Sequence, residues 1–401
     1  MKDDPKASGL TPIRRVVTGN DPRGHSKVVW DGPAPNTHEA SMGFGRGHTD
    51  LWVWVETPAP LSGDYDDGKL EYAFSGPPEG GHFRVVESRA RPPDYDPAND
   101  RSTVAEHPPK PRPASRGTWD RGGNNAFSSA MHKTETVDYG IMLAGERELI
   151  LDDRKLVMKP GDVVIQVGAW HQWVMPKGAR MAFDMIAARF VDGPQGLAQG
   201  KDKPLRAAPK LPAGVKATRR IVTIDREPGK SSLVGDGPAP DVRTDPARPG
   251  YACARLWVTD SHPARIVYET LHLPHVLEPP ARGSVCRVET LPPDDGWKAK
   301  VGAQQVQAFF HAMGSPGAST YSPLAPHPYM QKTRTLDFCI VLEGDIVLVL
   351  DSQEVKLKAG EIVIQRGTNH AWANRSSRPA VVAIASHDGT YAKESTPYFK
   401  V

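Results

Sequence analysis

The sequence predicts an all-β protein: two tandem antiparallel β-barrels with a few short helices. Similar segments recur in the same order in the two halves of the 401 residues. Within each half, apolar and polar residues alternate in short runs that end at turn dipeptides. The 39 prolines and 37 glycines also favour short strands joined by many turns.

The chain contains two copies of one unit, the signature of an internal repeat. Three segments of the first copy return 205 residues later (219 − 14): RRVVT at Arg14 as RRIVT at Arg219, DGPAP at Asp31 and Asp236, and LWV at Leu51 and Leu256. Further on the spacing is 199 residues (331 − 132), so the first copy carries six extra residues (205 − 199) before His132. We therefore predict a flexible N-terminus at 1–12, a first domain at 13–192, a linker at 193–216, a second domain at 217–395 and a tail at 396–401.

One long segment of the first copy has the composition of a surface loop. Residues 92–117 are polar and rich in proline, which makes them unable to form a core. The segment that joins the two copies, around 201–216, has the glycine, proline and lysine content of a linker.

The clearest strand pattern lies in the last third of each copy. The stretch YGIMLAGERELILDDRKLVMKPGDVVIQVGAWHQWVM alternates apolar and polar residues between Ala-Gly, Asp-Asp and Pro-Gly turns. The stretch FCIVLEGDIVLVLDSQEVKLKAGEIVIQRGTNHAWAN repeats it, so each copy should form an antiparallel meander. One helix is predicted from the i, i+3, i+4, i+7 spacing of apolar residues before Gly314: Val306, Phe309, Phe310 and Met313.

Charge and composition exclude several classes of function. The 50 basic and 47 acidic residues nearly cancel, which gives no field for nucleic acid or an anionic membrane. No apolar run approaches the roughly 20 residues of a membrane span, and the first residues carry no apolar signal segment, so we expect a cytoplasmic protein. The three cysteines form no CxxC pair and are expected to be free thiols.

A row of polar residues on one predicted strand marks a candidate site. Residues two apart on a strand share a face, so His132, Thr134, Thr136 and Asp138 point into the same interior if any of them does. Unsatisfied, each would cost about 1–3 kcal/mol, so the interior must offer partners, water, a metal or a ligand. With His171 from a later strand, two imidazoles and one carboxylate match a facial triad for a metal. The alternative is a polar pocket in which the same side chains only form hydrogen bonds.

These residues carry a resemblance to a known family. The stretches MHKTETVDYGIMLAGE and GDVVIQVGAWH resemble the two motifs of cupin domains, and the whole chain resembles a bicupin. In that family the first motif supplies two His and a carboxylate before a Gly turn, and the second motif supplies another His. The resemblance implies metal ligands at His132, Asp138 and His171, with Thr134 where the family's second His stands. It implies one divalent transition metal in the N-terminal barrel, namely Fe, Zn, Mn or Ni.

The second copy departs from the motif at its first ligand. Gln331 stands where the first copy has His132, and a neutral amide is a poor ligand for a transition metal. We therefore expect no metal in the C-terminal barrel and a degenerate second site, made of Gln331, Thr333, Asp337, His370 and Trp372.

Further side chains of the first copy are candidates for contact with a substrate. They are Thr134, Thr136, Gln166 and Trp173. Trp173 lies two residues after His171 and should face the same interior, either to fill the core or to stack on a planar substrate. His171 and Asp138 are the candidates for catalysis.

Three hypotheses of function remain open at this point. The first is a metal-dependent enzyme of small organic molecules: an oxygenase, or an isomerase, dehydratase or decarboxylase. The second is a metal-free enzyme with His171 or Asp138 as general base. The third is a non-catalytic protein that binds or stores a small molecule. In each case we expect a small-molecule partner, no nucleic acid, no membrane, and a monomer or homo-oligomer.

Overall fold

The structure is a computed structural model that describes residues 9–39, 41–42, 45–70, 76–111, 117–189, 207 and 210–394. The predicted tail at 396–401 lies outside the described residues, as do most of the predicted linker and the first eight residues of the predicted N-terminus. The domain boundaries stay predictions.

The first copy consists of strands connected by turns. Its strands are β1 (Arg14–Asn20), β2 (Ser26–Pro33), β3 (Asn36–His38), β4 (Arg46–Trp54), β5 (Ala59–Ser62), β6 (Gly81–Ala90), β7 (Lys110–Pro111), β8 (Thr118–Asp120), β9 (His132–Thr134), β10 (Thr136–Gly145), β11 (Arg147–Ile150), β12 (Lys155–Met158), β13 (Val163–Val167), β14 (Gln172–Val174) and β15 (Lys177–Arg189). Two short 3-10 turns lie at Asp67–Lys69 and Pro97–Asn99.

The second copy repeats this arrangement and adds a helix. Its strands are β16 (Arg219–Glu227), β17 (Lys230–Pro238), β18 (Asp241–Thr244), β19 (Ala252–Thr259), β20 (Ala264–Arg265), β21 (Ser284–Leu291), β22 (Thr335–Glu343), β23 (Asp345–Leu350), β24 (Glu354–Lys358), β25 (Ile362–Arg366), β26 (His370–Ala373) and β27 (Ala380–Glu394). The helix α1 spans Ala303–Ala312, and 3-10 turns lie at Asp294–Gly296, Lys298–Lys300 and Pro316–Ala318.

Two large sheets dominate the molecule. One has the strand order β17-β16-β13-β10-β15-β6-β4-β3, with β20 attached to β15, and the other has the order β18-β19-β21-β27-β22-β25-β1-β2, with β5 attached to β27. Three-stranded sheets, β12-β11-β14 and β24-β23-β26, complete the two copies, and β7-β8-β9 forms a third small sheet in the first copy. The prediction of an all-β fold is confirmed.

The two copies exchange their first hairpins. Strand β1 of the first copy pairs in parallel with β25 of the second, with Val16 opposite Val363. Strand β16 of the second copy pairs in parallel with β13 of the first, with Ile221 opposite Val164. The exchange is reciprocal, as an approximate two-fold arrangement of the copies requires. Each large sheet therefore contains strands from both copies.

Aromatic residues fill the contact between the two large sheets. Phe83 and Phe338 stack with ring centroids 4.6 Å apart. The hydroxyl of Tyr139 lies 2.7 Å from that of Ser284, across the same contact. Tyr139 and Phe338 thus point to the packing side, as predicted from their positions beside Asp138 and its counterpart. Alternate residues of these strands are left to face the interior of each copy.

Apolar packing inside each copy joins its large sheet to its small sheet. In the first copy Met142 of β10, Leu149 of β11 and Trp173 of β14 belong to one buried cluster. In the second copy the corresponding cluster also takes in the face of α1 formed by Val306, Phe309 and Phe310. The helix forms as predicted, and it ends before Gly314, whose positive φ of 68° terminates it.

The segment predicted to be a surface loop folds back over the first copy. Most of residues 92–111 are exposed, while 112–116 lie outside the described residues. The Asp100 carboxylate accepts hydrogen bonds from the Tyr95 hydroxyl and from the backbone N–H of Ala126. Val104 forms a bridge with Asn124 and reaches the interior cavity of this copy. Within the described residues, no helix combines the length and apolar character needed to cross a bilayer.

Candidate active site

A cavity of about 530 Å³ lies inside the first copy, between its large and small sheets. Six of the predicted site residues line it: His132, Thr134, Asp138, Gln166, His171 and Trp173. Thr136 is buried but is not among the lining residues, and its hydroxyl lies 2.6 Å from that of Thr134. The predicted single strand is divided into β9 and β10, and six of the seven predicted side chains of this copy share one interior.

A backbone contact between two strands brings the imidazoles together. His132 donates its N–H to the carbonyl of His171 at 2.9 Å, and His171 donates to the carbonyl of His132 at 2.8 Å. This pairing places the two ring centroids 4.2 Å apart, with the rings inclined by 55°. The strand pairing thus holds the two side chains as neighbours.

Each imidazole is fixed in one tautomer by a backbone carbonyl. The Nδ1 of His132 lies 2.7 Å from the carbonyl oxygen of Ala130, and the Nδ1 of His171 lies 2.9 Å from that of Ala169. A carbonyl only accepts, so Nδ1 carries the hydrogen and Nε2 keeps its lone pair. Burial lowers the pKa of His171 well below its usual range, which keeps this ring neutral. A neutral imidazole with a backbone-bonded Nδ1 is the form that binds metals.

Asp138 is a buried carboxyl at the end of a hydroxyl chain. The Thr136 hydroxyl donates to it, and the Thr134 hydroxyl continues the chain. Burial and, to a smaller extent, the charge of Asp184 raise the pKa of Asp138 while the Thr136 hydrogen bond lowers it, and the net result is a pKa of about 7. Its Oδ1 has no hydrogen-bond partner among the described residues. The Asp138 carboxyl, which lines the cavity, can therefore carry a proton near neutral pH.

The amide of Gln166 faces the same space. Gln166 stands opposite Asp138 in the pairing of β13 with β10. Its Oε1 and Nε2 are buried, and neither has a hydrogen-bond partner in the described part of the chain. Buried polar atoms left unpaired cost about 1–3 kcal/mol each, so this wall favours a polar occupant. Gln166 is suited to orient that occupant.

The predicted metal ligands share the cavity but do not converge fully on one point. In the described ranges, three ligand atoms of His, Cys, Asp or Glu come within 4.8 Å of one another in a different group, formed by His38, His48 and Asp50. The ligand atoms of His132, Asp138 and His171 are not this close together. The imidazoles of His132 and His171 have the donor chemistry for a transition metal, whereas the carboxyl of Asp138 stays with Thr136 in this arrangement.

Sequence reasoning missed the cluster of His38, His48 and Asp50. The Nε2 atoms of both imidazoles lie 3.5 Å from Oδ2 of Asp50, and Nη2 of Arg84 lies 2.9 Å from Oδ1 of the same carboxylate. Burial opposes ionisation here, yet the His48 hydrogen bond and the Arg84 charge lower the pKa of Asp50 to about 2. Because Arg84 already balances Asp50, we interpret the cluster as an ion-pair network in the cavity wall. The sequence signal for this cluster was the spacing of two between His48 and Asp50, which places both side chains on one face of a strand.

Arg147 is the second residue that sequence reasoning missed. It lies on β11, is 1% exposed and lines the cavity. Its guanidinium carbon lies 5.3 Å from the ring centroid of Trp173 and 5.7 Å from that of Phe183. Trp173 faces the interior as predicted, and its ring centroid is 5.8 Å from that of His171. The second copy has Ile346 at the position of Arg147. An arginine that replaces an apolar residue of the repeat was the sequence signal for a special role of this position.

The second copy has the same backbone frame with different contacts inside it. Gln331 donates its N–H to the carbonyl of His370 at 2.8 Å and accepts from His370 at 2.9 Å. The side-chain Nε2 of Gln331 lies 3.4 Å from Nε2 of His370. Thr333 and Thr335 repeat the hydroxyl pair at 2.7 Å, and Asp337 and Trp372 are buried as predicted. The amide thus occupies the place of the second imidazole.

Comparison with known proteins places a recognised domain in the second copy. Residues 318–386 match the family described as "Cupin domain". This range contains Asp337 and His370, which repeat Asp138 and His171 of the first copy, and Gln331, which replaces His132.

Curated relatives are similar over short segments. "Phomopsin biosynthesis cluster protein C'" of Diaporthe leptostromiformis is 54% identical over 48 residues, which is 12% of this chain and 25% of the relative. The chain thus spans a quarter of the length of this relative. "Cupin-domain-containing oxidoreductase fogC" of Aspergillus ruber is 24% identical over 186 residues, covering 45% of this chain and 74% of the relative.

Solved structures are similar only at a distant level. A "Cupin 2 conserved barrel domain protein" from Leptotrichia buccalis has 8% identity and a TM-score of 0.32, covering 77% of this chain and 84% of that one. A variant of oxalate decarboxylase from Bacillus subtilis has 10% identity and a TM-score of 0.32, covering 79% and 71%. Neither similarity carries an argument about activity.

Proposed function

We propose that the chain is a bicupin enzyme that acts on a small organic molecule in the cavity of the first copy. In this proposal His132 and His171 hold one divalent transition metal, and the second copy has a structural role. The observation that supports it is the imidazole pair, with centroids 4.2 Å apart and each Nδ1 bonded to a backbone carbonyl. The name of the relative from Aspergillus ruber, an oxidoreductase, agrees with a catalytic role.

The side chains around the imidazole pair have separable tasks. A bound metal would supply Lewis-acid or redox chemistry. Asp138 takes up or releases a proton at Oδ1, and the Thr136 hydroxyl holds the carboxyl in place. The amide of Gln166 orients the substrate, and the ring of Trp173 offers a flat surface for it. Asp138 therefore acts on the substrate rather than on the metal.

A metal-free enzyme is the second candidate, and two observations favour it. Burial raises the pKa of Asp138 to about 7, which makes this carboxyl an acid or base at neutral pH without help from an ion. The three predicted ligands also fail to come within 4.8 Å of one another. The two candidates differ in whether loss of an imidazole removes a metal.

Elemental analysis of the untagged protein separates the candidates. We expect about one equivalent of transition metal per chain, and we expect His171→Ala to lose it because one imidazole alone holds a metal weakly. The matched control is His370→Ala, which changes the corresponding position of the second copy and should retain the metal. Metal content that is the same in both variants would refute the metal proposal. No metal after reconstitution with iron, zinc, manganese or nickel would leave the metal-free enzyme.

The proposed partner of the protein is a small organic molecule. A cytoplasmic location and a monomeric or homo-oligomeric state stay predictions.

A further inference from the structure

We propose that the cavity of the first copy recognises a carboxylate-bearing molecule, with Arg147 as the group that pairs with the carboxylate. This inference rests on the proposed function, because it names the substrate class of the same cavity. It adds a charge requirement that neither the fold nor the relatives specify.

The first line of support is that Arg147 is a buried cation for which the described residues supply no counterion. Arg147 is 1% exposed, and its Nε and Nη2 are buried without a hydrogen-bond partner among the described residues. Its Nη1 donates a hydrogen bond to the sulfur of Met181, at 3.8 Å. Burial and the nearby charge of Arg46 together lower the pKa of Arg147 to about 9, and no described carboxylate offsets them. Buried charges in proteins are normally paired, so an anion is the missing partner.

The second line of support is the position of the guanidinium. Arg147 lines the same cavity as His171 and Asp138, and the rings of Trp173 and Phe183 flank its guanidinium. A planar guanidinium presents two parallel N–H donors to a carboxylate, and flanking rings favour a flat ligand. A planar acid bound here would place its carboxylate at Arg147 and the rest of the molecule in the cavity.

The third line of support is the contrast with other arginines inside the protein. In the second copy, Nε of Arg287 lies 2.9 Å from Oε1 of Glu289, and Nη1 lies 2.7 Å from the Ser386 hydroxyl. In the first copy, Arg84 pairs with Asp50 at 2.9 Å. The protein thus supplies a counterion for each of these two buried arginines. In the second copy, where Gln331 replaces an imidazole, the position of Arg147 is occupied by Ile346. Arg147, which has no counterion among the described residues, thus lies in the cavity of the proposed site.

Benzoate and benzamide are suitable probes, because they share size and shape and differ in charge. Binding to the full-length protein is measured by titration calorimetry for the unmodified chain, Arg147→Met and Arg147→Lys. We expect the unmodified chain to prefer benzoate about tenfold or more, Arg147→Met to lose this preference, and Arg147→Lys to keep part of it. Benzamide should bind the three proteins equally.

Thermal unfolding and metal content complete the test. If Arg147 serves a ligand, Arg147→Met should unfold at or above the temperature of the unmodified chain, because the substitution removes an unpaired buried charge. A less stable Arg147→Met protein would show that Arg147 is structural and would overturn the proposal. So would equal affinity of the unmodified chain for benzoate and benzamide, a result that needs no variant. We expect the metal content of Arg147→Met to equal that of the unmodified chain, because the metal is bound by the imidazole pair. If the unmodified chain prefers benzoate but contains no metal, only the metal proposal is refuted.

Discussion

Gln331 and His370 exchange two backbone hydrogen bonds of 2.8 and 2.9 Å, the same pair that His132 and His171 exchange in the first copy. The scaffold that brings two imidazoles together is therefore present in both copies. At this backbone contact the copies differ because Gln331 replaces an imidazole, not because the backbone is distorted.

This relationship predicts that Gln331→His creates a second metal site. The new imidazole would stand beside His370 on a frame that already holds such a pair, so metal content should rise from about one toward about two equivalents per chain. Elemental analysis after reconstitution measures the change, with Gln331→Asn as the control that keeps an amide. Equal metal content in the two variants would contradict the prediction.

Asp138 should make the stability of the metal-free protein depend on pH. Its pKa is about 7 in the folded chain, against an ordinary value of 3.8, so the folded state holds a proton that the unfolded state releases between these values. Stability therefore falls as pH rises through this window, by at most about 4 kcal/mol. Asp138→Asn removes this dependence and should gain stability, relative to the unmodified chain, between about pH 4 and pH 7.

Urea unfolding of chelator-treated protein at several pH values checks this expectation. A stability difference between the unmodified chain and Asp138→Asn that stays constant across the window would show that the carboxyl keeps an ordinary pKa in the folded state.

The contact between the copies includes a buried pair whose loss should be costly. Nε2 of His387 lies 3.0 Å from Oδ2 of Asp184, and both side chains are nearly inaccessible. His387→Ala would leave a buried carboxylate without this partner and should lower the free energy of unfolding by about 3 kcal/mol. The double variant with Asp184→Ala should lose less than the sum of the single variants. Strict additivity in denaturant unfolding would argue against coupling of the two side chains.

The end of helix α1 offers a test with a matched control. Gly314 has a φ of 68°, and a Cβ there would lie 1.9 Å from the carbonyl oxygen of His275. Gly314→Ala should therefore cost about 2 kcal/mol or more. Gly317, three residues on, has open space where a Cβ would lie, with no atom within 4 Å, so Gly317→Ala should change stability little. Similar unfolding temperatures for the two variants would contradict this interpretation.

Much of the fold was predictable because it depends on local pattern. The repeat predicted two domains, the alternation of apolar and polar residues predicted the strands, and the spacing of Val306, Phe309 and Phe310 predicted the helix. The period of two along a strand also predicted that His132 and Asp138 line one interior, which the cavity confirms.

The remaining features depend on contacts between residues distant in sequence. The pairing of β1 with β25 joins positions such as Val16 and Val363, and no local pattern specifies it. Arg147 sits on a strand where a charged residue normally indicates exposure, so its burial became visible only in the structure. The hydrogen bond between the Thr136 hydroxyl and Asp138 is likewise not revealed by sequence spacing.

The most direct test of the central claim locates the metal itself. Crystals of the reconstituted full-length protein are measured at the absorption edge of the bound metal. We predict one anomalous peak in the cavity of the first copy, about 2.0–2.2 Å from Nε2 of both His132 and His171. A peak beside His370, or one bound by His38, His48 and Asp50 with none at the imidazole pair, would contradict the assignment of the working site.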